Sequence, residues 1–319
     1  MNGQAVGPAR RAKDKSQDRA APPKSSTISH ARPLEIEEPL NRYFVHPISR
    51  ALVRLLIPTG ISPNTVSVLS VVMMSCACAC YLLLPWPAAA FAGLVFHVGW
   101  HVFDGADGEL ARQTGRSSPI GEIVDGVCDH LSHLVLYLTL GWLAAQQWGA
   151  WAWGLTAVSA ASRALQAVCY ETSRRNYRRW VYGLNWIRQD LEKAERKAGA
   201  AGRIGVALAG VYLKLSELVR ADDQAIEAAM GRLVEQDGAV AAKARNLYQA
   251  QGRGLVKRAS WLSTNWETVG VFLSLLAGSS IYFLAFQAVV LNLVMASCVF
   301  GQKRIYARLA PQLEALARR

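Results

Sequence analysis

The chain has 319 residues, of which 52% are hydrophobic, and carries a formal net charge of +12 with a pI near 9.7. Such a basic excess spread over a polar chain would suggest nucleic acid. Here the apolar residues are gathered into long runs, which argues against nucleic acid and sets the basic excess against anionic lipid, the cytoplasm and phosphorylated substrates.

Residues 1–32 are polar and rich in Lys, Arg, Ser, Ala and Pro, without the apolar stretch of a secretory signal peptide. They read as a disordered basic tail. From Pro33 the character changes. Leu40, Tyr43, Phe44, Ile48, Leu52, Leu55 and Leu56 recur at helical spacing with Arg42, Arg50 and Arg54 between them. This predicts an amphipathic helix on the membrane surface, bent at Pro47.

Thr65 to Leu84 is apolar over about 20 residues, enough to span a bilayer, and ends at Pro85-Trp86-Pro87 with the Trp as an interfacial anchor. Further spans are expected from Ala88 to near Arg112, Ile120 to Gln146, Ala150 to Cys169, Asn265 to Ala277 and Ile281 to Phe300. The fold class is therefore an all-α integral membrane protein with six transmembrane helices. An N-terminal interfacial amphipathic helix and a cytoplasmic helical insertion are added to these. The expected division is a tail at 1–32, the surface helix and spans one to four at 33–170, the insertion at 171–263, and spans five and six with a tail at 264–319. Helices are predicted in the insertion over Trp180 to Lys197, Ile204 to Glu235 and Gly238 to Leu262, broken at Gly199, Gly202 and Gly238. The apolar run Ile204 to Leu218 is expected at the membrane interface. The N-terminal region, the turn from Arg112 to Arg116, the segment from Arg174 to Arg179 and the C-terminal tail are all basic, while the loops near Trp86, Gln147 and Gly278 carry no Lys or Arg. Both termini are therefore expected in the cytoplasm, with the protein in the inner membrane if the source is bacterial.

The densest chemistry lies between Phe103 and His130. Asp104 and Asp107 are three residues apart, Asp125 and Asp129 four, so each pair lies on one face of a helix. The link Gln113 to Pro119 would fold the two helices antiparallel and bring four carboxylates together near the membrane boundary. Such a cluster repels itself, and two divalent cations would resolve it. All-oxygen ligation suits Mg²⁺ or Mn²⁺. Gly105, Gly108, Gly121 and Gly126 permit close approach of helix or ligand, and Arg112 can clamp a phosphate.

Asp104-x2-Asp107-Gly108-x2-Ala111-Arg112-x8-Gly121-x3-Asp125-x3-Asp129 resembles the full signature of the CDP-alcohol phosphotransferase family. The resemblance is confined to this stretch and says nothing of the tail or the insertion. It implies transfer of a substituted phosphate group from a CDP-alcohol to an acceptor hydroxyl with release of CMP, in phospholipid biosynthesis. Asp104, Asp107, Asp125 and Asp129 would be metal ligands, and Asp129 also the general base. Asn64, Gly108, Ala111, Arg112 and Gly121 would form the CDP pocket. A homodimer is the implied assembly. Two donors are compatible: CDP-diacylglycerol, giving a phosphatidyl group to a polar acceptor, and a CDP-linked head group, giving its phosphate to a lipid alcohol. A divalent-cation transporter would also explain acidic residues in spans, though not Gly108, Ala111, Arg112 and Gly121 at fixed offsets.

Arg163 lies inside the fourth span, with Gln166, Tyr170 and Arg174 along the same side. Either these four line an acceptor pocket, or Arg163 pairs with a motif carboxylate. His97, His101 and His133 read as interior histidines satisfied by hydrogen bonds rather than as metal ligands. The cysteines Cys76, Cys78, Cys80, Cys128, Cys169 and Cys298 include no CxxC pair and read as packing residues. The sequence has no GxSxG elbow and no P-loop.

Overall fold

The computed structural model describes residues 35–183, 210, 224–234 and 238–318. The expected tail at 1–32, most of the first two insertion helices and the apolar run after Ile204 lie outside the described residues. Every regular element among the described residues is helical.

The chain enters through a π-helical turn, Asn41–Val45, that leads directly into α1, His46–Leu56. Pro47 occupies the first turn of α1, where a missing N–H costs nothing. The wide turn before it takes the place of the expected bend. Helix α2, Pro63–Leu83, starts on Ser62, whose side chain accepts from the Thr65 N–H at 3.2 Å. Helix α4, Pro119–Trp148, uses the same Ser-Pro device: Ser118 accepts from the Gly121 N–H at 3.0 Å. In both cases the serine caps an orphan donor and the proline presets the first helical residue. Between them runs α3, Ala88–Gln113, which ends at Gly115 with φ +66°. Helix α5, Ala152–Tyr182, continues well past residue 170 and stops at Gly183, φ +67°. The expected insertion helix from Trp180 is therefore, where described, the last turn of α5.

Beyond this come α6, Gln224–Val234, and α7, Gly238–Ala259. Helix α8 is short, Thr264–Leu276. Helix α9, Ile281–Phe286, passes through a π-helical turn at Gln287–Leu291 into α10, Asn292–Ala317, as one rod. Among the described residues, three helices are long and apolar enough to cross a membrane: Pro63–Leu83, Ile120–Trp148 and Ile281–Ala317.

The bundle core joins Met74 and Tyr81 of α2, Trp100 of α3, Leu136 and Leu140 of α4, Val271 of α8 and Phe283 of α9. Large apolar residues also face outward, among them Leu83, Val95, Leu134, Trp142 and Leu293. That is the inverse of a water-soluble surface and suits a lipid solvent. A second core gathers Tyr177 and Trp180 of α5, Met230 and Leu233 of α6, Tyr248 of α7 and Leu309 and Leu313 of α10. Helix α5, through Ala152 at its start and Tyr177 and Trp180 near its end, and the α9–α10 rod serve both cores.

Candidate active site

Helix α3 carries Asp104 and Asp107, and α4 carries Asp125 and Asp129. The hairpin between them brings the four acids together. Asp107 shares a side-chain hydrogen bond with Asp125, and Asp104 lies within electrostatic reach of the other three. Asp107 is the most enclosed. Its carboxylate accepts from Ser67 Oγ of α2 at 2.5 Å and from the Gly108 N–H. Ser67 sits one turn beyond Asn64, in the polar start of α2.

Asn64 meets the opposite helix. A β-carbon built on Gly121 would lie 3.4 Å from Asn64 Oδ1 and 3.2 Å from Ser118 Oγ. Any side chain at 121 would fill the space between the two helix starts. Gly108 is covered by Arg112, whose Nη1 would be 3.3 Å from an added β-carbon, while Arg112 Nη2 bonds Glu109 at 2.7 Å. The Arg112 side chain stays 44% exposed, open to an anionic ligand. Ala111 lies half-buried one residue before it. Below the hairpin, α1 is seated by Ser49, whose hydroxyl donates to the Val102 carbonyl at 2.9 Å beside Gly105. Val53, Val66, Ala106 and Leu110 seal that contact.

A polar network lies behind Asp129. His133 Nδ1 is 2.9 Å from the Asp129 carbonyl and 3.4 Å from its carboxylate, and His133 Nε2 is 3.2 Å from Glu267 Oε2 of α8. Arg163 Nε of α5 donates to the same Oε2 at 2.7 Å. The partner of Arg163 is thus a carboxylate of the fifth expected span, not one of the motif. His101 bonds Thr268 at 2.7 Å, as expected of a satisfied interior histidine, whereas His97 meets Tyr81 through Nδ1 and its buried Nε2 has no hydrogen-bond partner among the described residues.

The other residues predicted along α5 have partners within the protein. Gln166 is fully buried and donates to the Gln287 carbonyl at 3.1 Å and to Asn292 Oδ1 at 2.8 Å. The Tyr170 hydroxyl donates to Glu38. Arg174 lies over the Tyr170 ring at 5.1 Å and pairs with Glu171 at 3.7 Å. Two partners escaped the sequence reading, Glu38 and Glu267. The signal for Glu267 was its place as an acidic residue at the mouth of an otherwise apolar span. For Glu38 there was none.

Among the described residues, no three His, Cys, Asp and Glu side chains converge as a finished metal cage. The donor set nonetheless fits a hard cation. The four acids offer only oxygen, and Asp107 and Asp125 stand in direct contact, an arrangement that requires a proton or a cation between them.

The profile of the CDP-alcohol phosphatidyltransferase family matches residues 60–218. This chain belongs to the CDP-alcohol phosphatidyltransferase family. That family is generally metal-dependent and membrane-integral. The match runs past α5 to residue 218, into the segment that the motif alone set apart from the family core. The chain is 32% identical over 100 residues to cholinephosphotransferase 1 of Xenopus laevis, covering 29% of this chain and 24% of that protein. It is 26% identical over 135 residues to phosphatidylinositol phosphate synthase of Mycobacteroides abscessus, covering 42% of this chain and 56% of that one. The chain thus spans about half or less of the length of these relatives.

Proposed function

We propose that the protein moves a substituted phosphate group from a CDP-alcohol, CDP-diacylglycerol in the first instance, to the hydroxyl of a polar acceptor, releasing CMP. The observation that carries this reading is the meeting of Asp107 and Asp125 across the α3–α4 hairpin, with Asp104 and Asp129 beside them.

In this reading Asn64, Gly108, Ala111, Arg112 and Gly121 form the CDP pocket. The bare backbone at Gly108 and Gly121 admits the nucleotide, and the exposed Arg112 fork binds its phosphate. Asp104, Asp107, Asp125 and Asp129 would hold two Mg²⁺ or Mn²⁺ ions. Such ions, when bound, neutralise charge on a diphosphate and polarise the phosphorus under attack. Asp129 receives the proton of the acceptor hydroxyl. The acceptor oxygen bonds to the phosphorus distal to cytidine, the diphosphate bridge breaks, and CMP departs. Ser67 and the Gly108 amide keep Asp107 in place, so its carboxylate is oriented before substrate arrives. Arg163, Gln166, Tyr170 and Arg174 are retained as the acceptor side only in so far as α5 borders the site.

The same reading takes α2, α3, α4, α5, α8 and the α9–α10 rod as six spans with both termini and the hairpin mouth in the cytoplasm. Residues 33–170 and 264–319 form the membrane part, and 171–263 a cytoplasmic helical insertion whose described helices share the second core. A second donor choice, a CDP-linked head group passed to a lipid alcohol, draws support from the similarity to a cholinephosphotransferase.

The test is to incubate purified protein with Mg²⁺ and a panel of CDP-alcohols and acceptors and to follow CMP. CMP release that depends on one pairing supports the transferase and names its substrates. Asp129→Asn is expected to abolish release without unfolding the protein, and turnover in that variant would remove Asp129 from the mechanism. Divalent-cation flux into liposomes without nucleotide would instead favour a transporter.

A further inference from the structure

Arg163 and Glu267 form an ion pair at 2.7 Å between α5 and α8, both side chains less than a tenth exposed. A buried pair of this kind is weak evidence for stability, since its desolvation can cancel its attraction. Where the pair leads carries the argument. Glu267 Oε2 also meets His133 Nε2 at 3.2 Å, and the other ring nitrogen of His133 reaches both the carbonyl and the carboxylate of Asp129. Trp100 of α3 closes edge-on against the His133 ring, with centroids 5.3 Å apart. The imidazole is therefore fixed at both nitrogens and on one face. Four helices converge on it, and the chain of contacts ends on a motif acid.

We propose that Arg163, Glu267 and His133 are positioning residues for Asp129: Arg163 anchors Glu267, Glu267 orients His133, and His133 fixes the rotamer of the carboxylate that receives the acceptor proton. This rests on the transferase reading above. It gives Arg163 the task of a support instead of direct contact with the acceptor, and it assigns Glu267 a task that the motif does not carry. The remaining oxygen of Glu267, Oε1, has no hydrogen-bond partner among the described residues. Arg163 and His133 thus meet at the one oxygen, Oε2, and each supports the other's hold on the glutamate.

Wild-type CMP release is measured first; its absence with every CDP-alcohol sinks the transferase reading and this proposal with it. Where wild type turns over, Glu267→Gln and His133→Asn are each expected to lower kcat by about 10–100-fold with little change in the acceptor KM, the size typical of lost outer-shell support. Because removing one member of a buried pair can unfold the protein, the double variant R163M/E267M is the control. It removes both charges together and leaves no orphan. A melting temperature near that of wild type with the same loss of kcat supports positioning. R163K, which retains the charge, is expected to recover most of the turnover lost in R163M. A raised acceptor KM at unchanged kcat in R163K and R163M would assign Arg163 to the acceptor and overturn the proposal. Full turnover in R163M/E267M would overturn it as well.

Discussion

A methyl group at position 93 would sit 1.9 Å from Cε1 of Tyr81. The contact shows how single residues set the spacing of α2 and α3. Tyr81 is buried, and its hydroxyl faces His97 Nδ1 at 3.3 Å, so the ring cannot swing aside without giving up that partner. Gly93→Ala therefore forces the helices apart or the tyrosine off its rotamer, at a cost of about 1–3 kcal/mol. Gly154 on α5 is the matching control, because nothing lies within 4 Å of its added β-carbon. There the same change gains helix propensity, worth about 0.5–1 kcal/mol. Thermal unfolding in detergent is expected to move down for Gly93→Ala and to stay level or rise for Gly154→Ala. Equal shifts in both would show that the Tyr81 contact gives way freely. Neither consequence can be read from the sequence, where both residues are simply glycines within apolar helices.

The short strap ahead of α1 works at the scale of elements. Glu38 accepts from the Tyr170 hydroxyl of α5, from Ser263 Oγ at 2.8 Å and from Asn265 Nδ2 of α8 at 2.5 Å. Glu35 accepts from the Tyr177 hydroxyl of α5 and from Gln249 Nε2 of α7 at 3.2 Å, with Arg253 at 3.8 Å. One turn of chain thus ties three helices. Glu38→Ala would strand buried donors, at about 1–3 kcal/mol. Glu35 adds a pH dependence. Burial acts to raise its pKa, but the hydrogen bonds from Tyr177 and Gln249 and the charge of Arg253 outweigh it, and the carboxyl is held below its ordinary 4.5. The folded state then binds fewer protons than the unfolded one, so the contribution is complete above pH 4.5 and fades as pH falls through the folded value. Acidification through this range should lower the melting temperature of wild type more than that of Glu35→Gln; identical acid profiles would remove Glu35 as a clasp. Of the helices this strap binds, sequence periodicity placed α7 and α8 to within a few residues but ended the fourth span at Cys169, whereas α5 runs on to Tyr182. Periodicity could not find the strap, since nothing in Glu35 to Glu38 announces partners more than a hundred residues away.

For the whole molecule, the same division holds. The site on the α3–α4 hairpin was legible because its four acids are close in sequence and helical spacing alone pairs them. The support from Arg163 and Glu267 was not, because it depends on how α5 and α8 pack. The loops at one end of the bundle do meet: Trp86 Nε1 donates to the Leu276 carbonyl at 3.0 Å, Gln147 Nε2 to the Gly278 carbonyl at 2.9 Å, and Trp148 Nε1 to Ser279 Oγ at 3.1 Å. At the other end Arg116 of the hairpin reaches the Gly60 carbonyl at 3.3 Å. None of the three meeting loops carries Lys or Arg, whereas the hairpin turn does. By the positive-inside rule this supports the proposed orientation, with the hairpin in the cytoplasm and the tryptophan-rich loops across the membrane. Single added cysteines separate the two sides. Gln146→Cys, exposed at the tryptophan end, is expected to react with a membrane-impermeant maleimide applied outside intact cells, while Ser117→Cys, exposed beside the hairpin, reacts only after lysis. The native cysteines, all buried or half-buried, supply the background measured in wild type. The reverse pattern would put the carboxylates on the side without soluble nucleotide, and a CDP-dependent reaction there would have no supply of donor. Labelling of both positions from outside would break the six-span topology itself, since Ser117 and Gln146 flank a single helix, α4, long enough to cross the bilayer.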